Sequence, residues 1–148
     1  KIKKSKREIK YRTTSLNGLF YGSDHEIKKA KKIHELSPAG FEEKMEDYVD
    51  KKGWEVIKRN NYDGGIDIRA WKEFKNGTIK KLLVQCKHWK KPVGPDVIRE
   101  LIGASKLEES EYEKVLMVIT SSKFTFGARE AAAKENIELI DGDKLLGA

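Results

Sequence analysis

Residues 82–87, with the sequence LLVQCK, carry an apolar strand directly into two polar side chains. The apolar start of this stretch predicts a buried strand, in which alternation puts Gln85 and Lys87 on one face and Cys86 on the other. Gln85 is the only glutamine in the chain of 148 residues. Eighteen residues before it, Asp67 ends the turn-like sequence DGGID. This spacing predicts a polar site where two neighbouring strands meet.

These side chains have the chemistry that cutting a phosphodiester bond requires. Mg²⁺ takes a few oxygen ligands and completes its shell with water, and Asp67, the Gln85 amide oxygen and the Cys86 backbone carbonyl are suitable ligands. Lys87 can orient an attacking water and stabilise developing negative charge. Glu42, one turn into a predicted helix, can contact a metal-bound water or a second ion.

The register of the predicted hairpin decides whether this site forms. A two-residue turn at positions 76–77 pairs residues whose numbers sum to 153, which places Asp67 opposite Cys86 and on the wrong face. A one-residue bulge or a three-residue loop shifts the sum to 152 and places Asp67 opposite Gln85. The functional interpretation therefore requires that shift.

The flanking pattern predicts an α/β fold. Ser37 followed by Pro38 is a strong helix start, and apolar and turn residues alternate along the rest of the chain. A meander of three strands followed by alternating helix and strand implies a mixed sheet with helices on both faces. The predicted strands are 54–57, 66–71, 79–88, 115–120 and 137–140, and the predicted helices are 25–36, 38–53, 96–107 and 126–136, with a last turn after residue 141.

Positive charge is concentrated at the beginning of the chain. The formal net charge is +7, from 31 Lys and Arg against 24 Asp and Glu. Residues 1–12 hold seven bases and one acid, or +6, which leaves 24 bases and 23 acids, or +1, for the rest. A basic arm can neutralise DNA phosphates, although a solvated terminus is an equally good interpretation. The single cysteine excludes an intrachain disulfide and fits a reducing, cytoplasmic compartment.

Two further segments are candidates for contact with DNA. Trp89 with Lys90 and Lys91 can line a DNA groove, with Trp89 as a hydrophobic plug in the alternative interpretation. His88 can contact a phosphate or lie at the edge of a loop. Residues 121–123 follow a predicted central strand, where Ser122 and Lys123 can bind backbone phosphate or simply form a turn.

Four blocks in the right order give the chain a specific resemblance: residues 41–42, 53–56, 63–67 and 84–87. Together they resemble the catalytic domain of Mrr-type restriction endonucleases, and the similarity extends over about residues 38–146. The resemblance implies the restriction-endonuclease-like fold, an αβββαβ core with an extra αβ pair. It also implies Mg²⁺-dependent cleavage of DNA, with Mn²⁺ as a substitute. It maps catalysis onto Glu42, Asp67, Gln85 and Lys87.

The expected domain organisation is a basic arm and short helix over residues 1–36, then a nuclease domain over residues 37–148. Two alternatives to a restriction or DNA-processing nuclease stay open. A Holliday junction resolvase uses the same fold as a homodimer, but such enzymes generally carry Glu where Gln85 stands. A nuclease-like module that binds nucleic acid or protein without cutting would gain little from Lys87 beside an amide.

Overall fold

The computed structural model describes residues 29, 32–57 and 64–147. The basic arm, most of the segment 1–36 and the first residue of the DGGID turn lie outside the described residues. Residues 32–35 are helical, within the predicted helix 25–36. The elements that follow are α1 (Pro38–Lys51), β1 (Glu55–Val56), β2 (Ile68–Glu73), β3 (Ile79–Lys87), α2 (Pro95–Leu107), β4 (Glu113–Thr120), α3 (Phe126–Lys134), β5 (Glu138–Ile140) and α4 (Gly142–Gly147).

The five strands form one mixed sheet in the order β1-β2-β3-β4-β5. β1, β2 and β3 pair antiparallel, whereas β3, β4 and β5 pair parallel. This arrangement confirms the predicted fold class. The strand limits differ: β1 has only two residues, and β2 begins at Ile68 rather than at residue 66. Among the described helices, none combines the length and apolar character needed to cross a bilayer.

One face of the sheet is covered by α1. Its apolar stripe is Phe41, Met45 and Val49, which are all buried and pack in one cluster with Ile68 and Val84. Ser37 begins this helix as predicted, because its hydroxyl accepts a hydrogen bond of 3.0 Å from the Gly40 backbone. The first layer of the core therefore lies between α1 and the strands.

The opposite face is covered by α2 and α3. Val97 and Leu101 of α2 and Ala128 of α3 form a second buried cluster with Leu83 and Val118 of the sheet. Neighbouring residues of β3 thus point into different clusters, as strand alternation requires. Gln85 follows this alternation onto the face that α2 covers, and this position decides its partners.

The hairpin between β2 and β3 has the required register. Ile68 lies opposite Val84 and Glu73 opposite Ile79, so paired numbers sum to 152. The cause is a three-residue loop, in which Phe74 and Thr78 are joined by a hydrogen bond of 2.7 Å. Gly77 has φ of 84° and donates to the Phe74 carbonyl. A type I turn followed by a left-handed residue gives this loop length, and glycine adopts that conformation without strain.

A cluster of charged side chains joins β2 and β3 to the end of α2. Arg69 donates to both carboxylate oxygens of Glu108, at 2.7 and 3.0 Å, and Lys81 approaches the same carboxylate at 2.8 Å. The hydrogen bonds from Arg69 lower the pKa of Glu108 to about 2, against the opposing effect of partial burial and with help from Lys81. The ionised carboxylate of Glu108 thus connects the end of α2 to β2 and β3.

This cluster predicts a pH-dependent contribution to stability. Because the folded pKa of Glu108 lies below its ordinary value, the contribution is complete above about pH 4.5 and is lost as the pH falls towards 2. We expect Glu108→Gln to lower the free energy of unfolding at pH 7 by about 2–3 kcal/mol. Urea unfolding at pH 7 and pH 3 measures this, and the difference between the two proteins should be clearly smaller at the lower pH. A difference that is equal at both pH values would contradict the assignment.

Candidate active site

Asp67 lies against the backbone of β3, beside the peptide that joins Gln85 to Cys86. The Asp67 backbone donates to the Val84 carbonyl at 2.8 Å, and its carboxylate oxygen Oδ2 accepts from the Cys86 backbone at 2.7 Å. Continuing the register of the hairpin places Asp67 opposite Gln85. Ile66 and Ile68 pack in clusters on opposite faces of the sheet, so simple alternation breaks at Asp67. Because of this irregularity, the Asp67 carboxylate accepts the hydrogen bond from the Cys86 N–H in place of a backbone carbonyl of the sheet.

Gln85 is buried, with 2% of its surface exposed. Its amide nitrogen Nε2 donates to Glu100 Oε1 of α2 at 2.6 Å. Its amide oxygen Oε1 is buried and has no hydrogen-bond partner among the described residues. Only the amide nitrogen can donate to a carboxylate, so Glu100 determines which way the amide points. The unpaired oxygen is therefore a consequence of a well-defined contact.

An unpaired buried oxygen is a useful test of metal binding. Leaving such a group without a partner costs about 1–3 kcal/mol, and Mg²⁺ prefers oxygen ligands. The described residues contain no group of three or more His, Cys, Asp or Glu side chains that could hold a metal. A site here would therefore depend on the Gln85 amide and a backbone carbonyl together with Asp67. The donor set fits a hard divalent cation.

Lys87 shares a strand face with Gln85, and its side chain is half-buried. Its ammonium nitrogen lies 5.3 Å from the centre of the Trp89 ring, and that of Lys91 lies 4.8 Å from the same ring. Trp89 also packs against the apolar cluster under α2. Trp89 is thus partly packed, as in the hydrophobic-plug interpretation, and two cations lie over its ring, while its contact with DNA stays a prediction.

Glu42 and Glu100 lie on helices that cover opposite faces of the sheet. Glu42 follows the buried Phe41 on α1, whereas Glu100 on α2 contacts Gln85. The catalytic role predicted for Glu42 therefore requires its side chain to reach the site around the end of the sheet. Glu100 was missed by the sequence analysis. The one sequence feature that points to Glu100 is its position between the buried residues Val97 and Leu101, at the edge of the buried face of α2.

His88 has an internal role that differs from the predicted phosphate contact. Its ring nitrogen Nε2 donates to the Leu36 carbonyl at 2.8 Å, and Nδ1 lies 2.8 Å from the Ser121 hydroxyl. The ring stacks on Phe41, with centres 4.6 Å apart and planes within 10°. Both nitrogens are used within the protein, so the structure favours a role for His88 in joining α1 to the ends of β3 and β4.

Three of the other predicted DNA contacts, Lys90, Ser122 and Lys123, line a groove of about 290 Å³ together with His34 and Asp143. Lys90, Lys91 and Lys123 are exposed. The Ser122 hydroxyl is used within the loops, since it donates to the Lys91 carbonyl at 2.8 Å. The lysines therefore suit the predicted phosphate contacts, and the Ser122 side chain serves to hold the loop of Lys90 and Lys91.

The fold agrees with comparisons to known proteins. The family model for the Mrr catalytic domain, described as restriction endonuclease, matches residues 33–148. A comparison with curated proteins found no match.

Three solved structures share the fold at low sequence identity. A repair endonuclease from Pyrococcus abyssi is 18% identical over 72% of this chain and 47% of its own, with a TM-score of 0.51. The DNA modification-dependent restriction endonuclease AspBHI is 15% identical over 84% of this chain and 35% of its own, with a TM-score of 0.54. The MspJI restriction endonuclease, in complex with a 27-mer oligonucleotide, is 16% identical over 94% and 30%, with a TM-score of 0.50.

The chain thus spans less than half the length of each of these three proteins. The family assignment rests on the sequence match, which covers well over half of the chain and includes α1, the hairpin and the strand that carries Gln85. The chain therefore belongs to the restriction endonuclease family defined by the Mrr catalytic domain.

Proposed function

We propose that the protein is a Mg²⁺-dependent endodeoxyribonuclease of the restriction or DNA-processing type. The observation that carries this proposal is the buried oxygen of Gln85, which has no hydrogen-bond partner among residues 29, 32–57 and 64–147 and lies beside the peptide that Asp67 holds. In this proposal Asp67, Gln85 and the Cys86 carbonyl hold the cation, and Mn²⁺ can replace Mg²⁺. When bound, the cation supplies charge neutralisation at the scissile phosphate and lowers the pKa of a water.

The side chains of the protein have separate roles in this reaction. Asp67 fixes the end of β3 through its bond to the Cys86 backbone, and so sets the position of the ligand oxygens. Lys87 extends from the same strand face as Gln85, where its ammonium group orients the attacking water and stabilises negative charge on the phosphate. Glu42 is proposed to contact the site from α1, through water.

DNA is the proposed partner of the lysine-lined groove. Lys90 and Lys123 face it, and Lys91 lies over Trp89 next to Lys87. Phosphate contacts of this kind position a duplex without reading its sequence. The oligonucleotide in the MspJI complex gives this proposal support from a protein of the same fold. Any sequence specificity would come from contacts other than these phosphate contacts. A homodimer would bring two such sites together.

The proposal is tested by incubating the purified protein with supercoiled plasmid and, separately, with a four-way DNA junction. Each substrate is incubated with Mg²⁺, with Mn²⁺ and with EDTA. We expect nicked or linear plasmid with either metal and intact plasmid in EDTA. Cleavage of the junction alone would favour a resolvase. Binding of DNA without any cleavage would favour a non-catalytic module.

A further inference from the structure

We propose that Glu100 is a positioning residue of the metal site, which orients the Gln85 amide and supplies the second negative charge that a divalent cation needs. This inference rests on the proposed function, because it concerns the same site. Glu100 lies on α2, outside the strands that carry the polar motif, and its carboxylate contacts the Gln85 amide nitrogen at 2.6 Å.

The orientation follows from the geometry of the amide. A rotation of the Gln85 amide by half a turn would bring its oxygen against the Glu100 carboxylate, where two acceptors repel each other. With Glu100 in place, the nitrogen stays on the side of α2 and the oxygen stays on the other side. That oxygen is buried and has no hydrogen-bond partner in the part of the chain that the structure describes. Glu100 therefore holds a neutral ligand in the one orientation that can bind a cation.

The charge of the site supports the same assignment. Asp67 contributes one negative charge, and the amide at position 85 contributes none. Glu100 brings the total to two, which matches a divalent cation. A carboxylate at position 85 would instead lie about 2.6 Å from Glu100, and like charges that close prevent full ionisation of both groups. The amide on β3 and the carboxylate on α2 therefore form a matched pair.

Close packing keeps Glu100 near the strand. Gly65, in the turn that leads to Asp67, has φ of 95°, and a Cβ atom there would lie 2.9 Å from the Cβ of Ala104 and 3.9 Å from the Glu100 carbonyl. The turn before Asp67 thus packs directly on the turn of α2 that begins at Glu100. The absence of a side chain at Gly65 allows this close approach. One contact between the turn and the helix therefore positions the carboxylates of both Asp67 and Glu100.

The first test measures Mn²⁺ affinity by electron paramagnetic resonance, without DNA. We expect Glu100→Ala to raise the dissociation constant about 10–100-fold, the usual effect of removing a residue that orients a metal ligand. Glu100→Gln keeps an acceptor for the Gln85 amide but removes the charge, so its affinity should lie between those of the wild type and Glu100→Ala. Glu130→Ala, which removes an exposed glutamate of α3, is the matched control and should bind as the wild type does.

A second readout uses the fact that Gln85 is the only glutamine in the chain. Selective ¹⁵N labelling of glutamine then gives a single side-chain NH₂ pair in the NMR spectrum. In the metal-free wild type, we expect one proton of this pair to be shifted downfield by its hydrogen bond to Glu100. The shift should be absent in Glu100→Ala and present in Glu130→Ala.

The outcomes separate this inference from the proposed function. If the wild type binds Mn²⁺ and cuts DNA while Glu100→Ala binds Mn²⁺ equally well, the role of Glu100 is wrong and the nuclease proposal stands. If Glu100→Ala loses the NMR shift and the affinity together, the inference is supported. A wild type that neither binds Mn²⁺ nor cuts DNA overturns both.

Discussion

Asp67→Asn protein should leave supercoiled plasmid uncut in Mg²⁺ under conditions in which the wild type cuts it. The substitution removes the charge of the proposed ligand but keeps an oxygen that can accept the hydrogen bond from the Cys86 backbone. Losing about 4 kcal/mol of charge stabilisation in the transition state corresponds to a rate lower by about a thousandfold. The measurement is the initial rate of plasmid nicking at saturating Mg²⁺.

The choice of asparagine follows from the structure. Asp67→Ala would also leave the Cys86 N–H without its partner, at a cost of about 1–3 kcal/mol in stability. We therefore expect Asp67→Ala to have a lower melting temperature than Asp67→Asn, with both inactive. DNA binding in EDTA should be retained by Asp67→Asn. Asp96→Asn, at an exposed aspartate of α2, is the matched control, and wild-type nicking by Asp67→Asn would refute the role of Asp67 in metal binding.

Lys87→Met should lose cleavage for a different reason. The substitution keeps most of the length of the side chain but removes the ammonium group that is proposed to act on the water and the phosphate. Loss of such a group typically lowers a rate by about 10²–10⁴-fold. Mn²⁺ affinity should be unchanged, because a cationic side chain is not a metal ligand. Single-turnover cleavage at saturating DNA measures the effect on the chemical step.

The matched control is Lys75→Met, at an exposed lysine of the hairpin loop. It removes the same charge from the same hairpin, far along the strands from the site, and should leave the rate at saturating DNA unchanged. If Lys87→Met and Lys75→Met cut equally fast, Lys87 is an ordinary strand residue over the Trp89 ring. A change in Mn²⁺ affinity in Lys87→Met would instead indicate that the site itself is disturbed.

The sequence predicted the strands and their connections because local patterns carry that information. The apolar run before Gln85, the hydroxyl of Ser37 before a proline, and Gly77 in the hairpin each have a local physical reason to form the element in which they lie. The need for a register sum of 152 also followed from the sequence, since it depends only on alternation and loop length. The pairing of Ile68 with Val84 confirms that shift.

Contacts between layers could not be predicted in the same way. Periodicity places Glu100 at the edge of the buried face of α2, but which strand that edge meets depends on how the helix crosses the sheet. For the same reason, the sequence did not reveal that α1, which carries Glu42, covers the opposite face from Gln85; the catalytic role of Glu42 stays a prediction. The internal bonds of His88 also join residues far apart in the chain, with partners at Leu36 and Ser121.

The three-residue hairpin loop has an evolutionary consequence. The tip of a surface hairpin usually tolerates gain or loss of a residue. Here, the six strand residues Ile68–Glu73 lie between Asp67 and Phe74, and the seven steps from one to the other span about 23 Å at the usual rise per residue. If one loop residue were removed and the turn kept its three-residue form, a strand residue would be drawn into the turn, and Asp67 would lie opposite Val84 or Cys86 instead of Gln85. Natural variation in this lineage should therefore change positions 75 and 76 while conserving Gly77 and the length of the loop, since selection on the remote carboxylate acts through the number of residues at the tip.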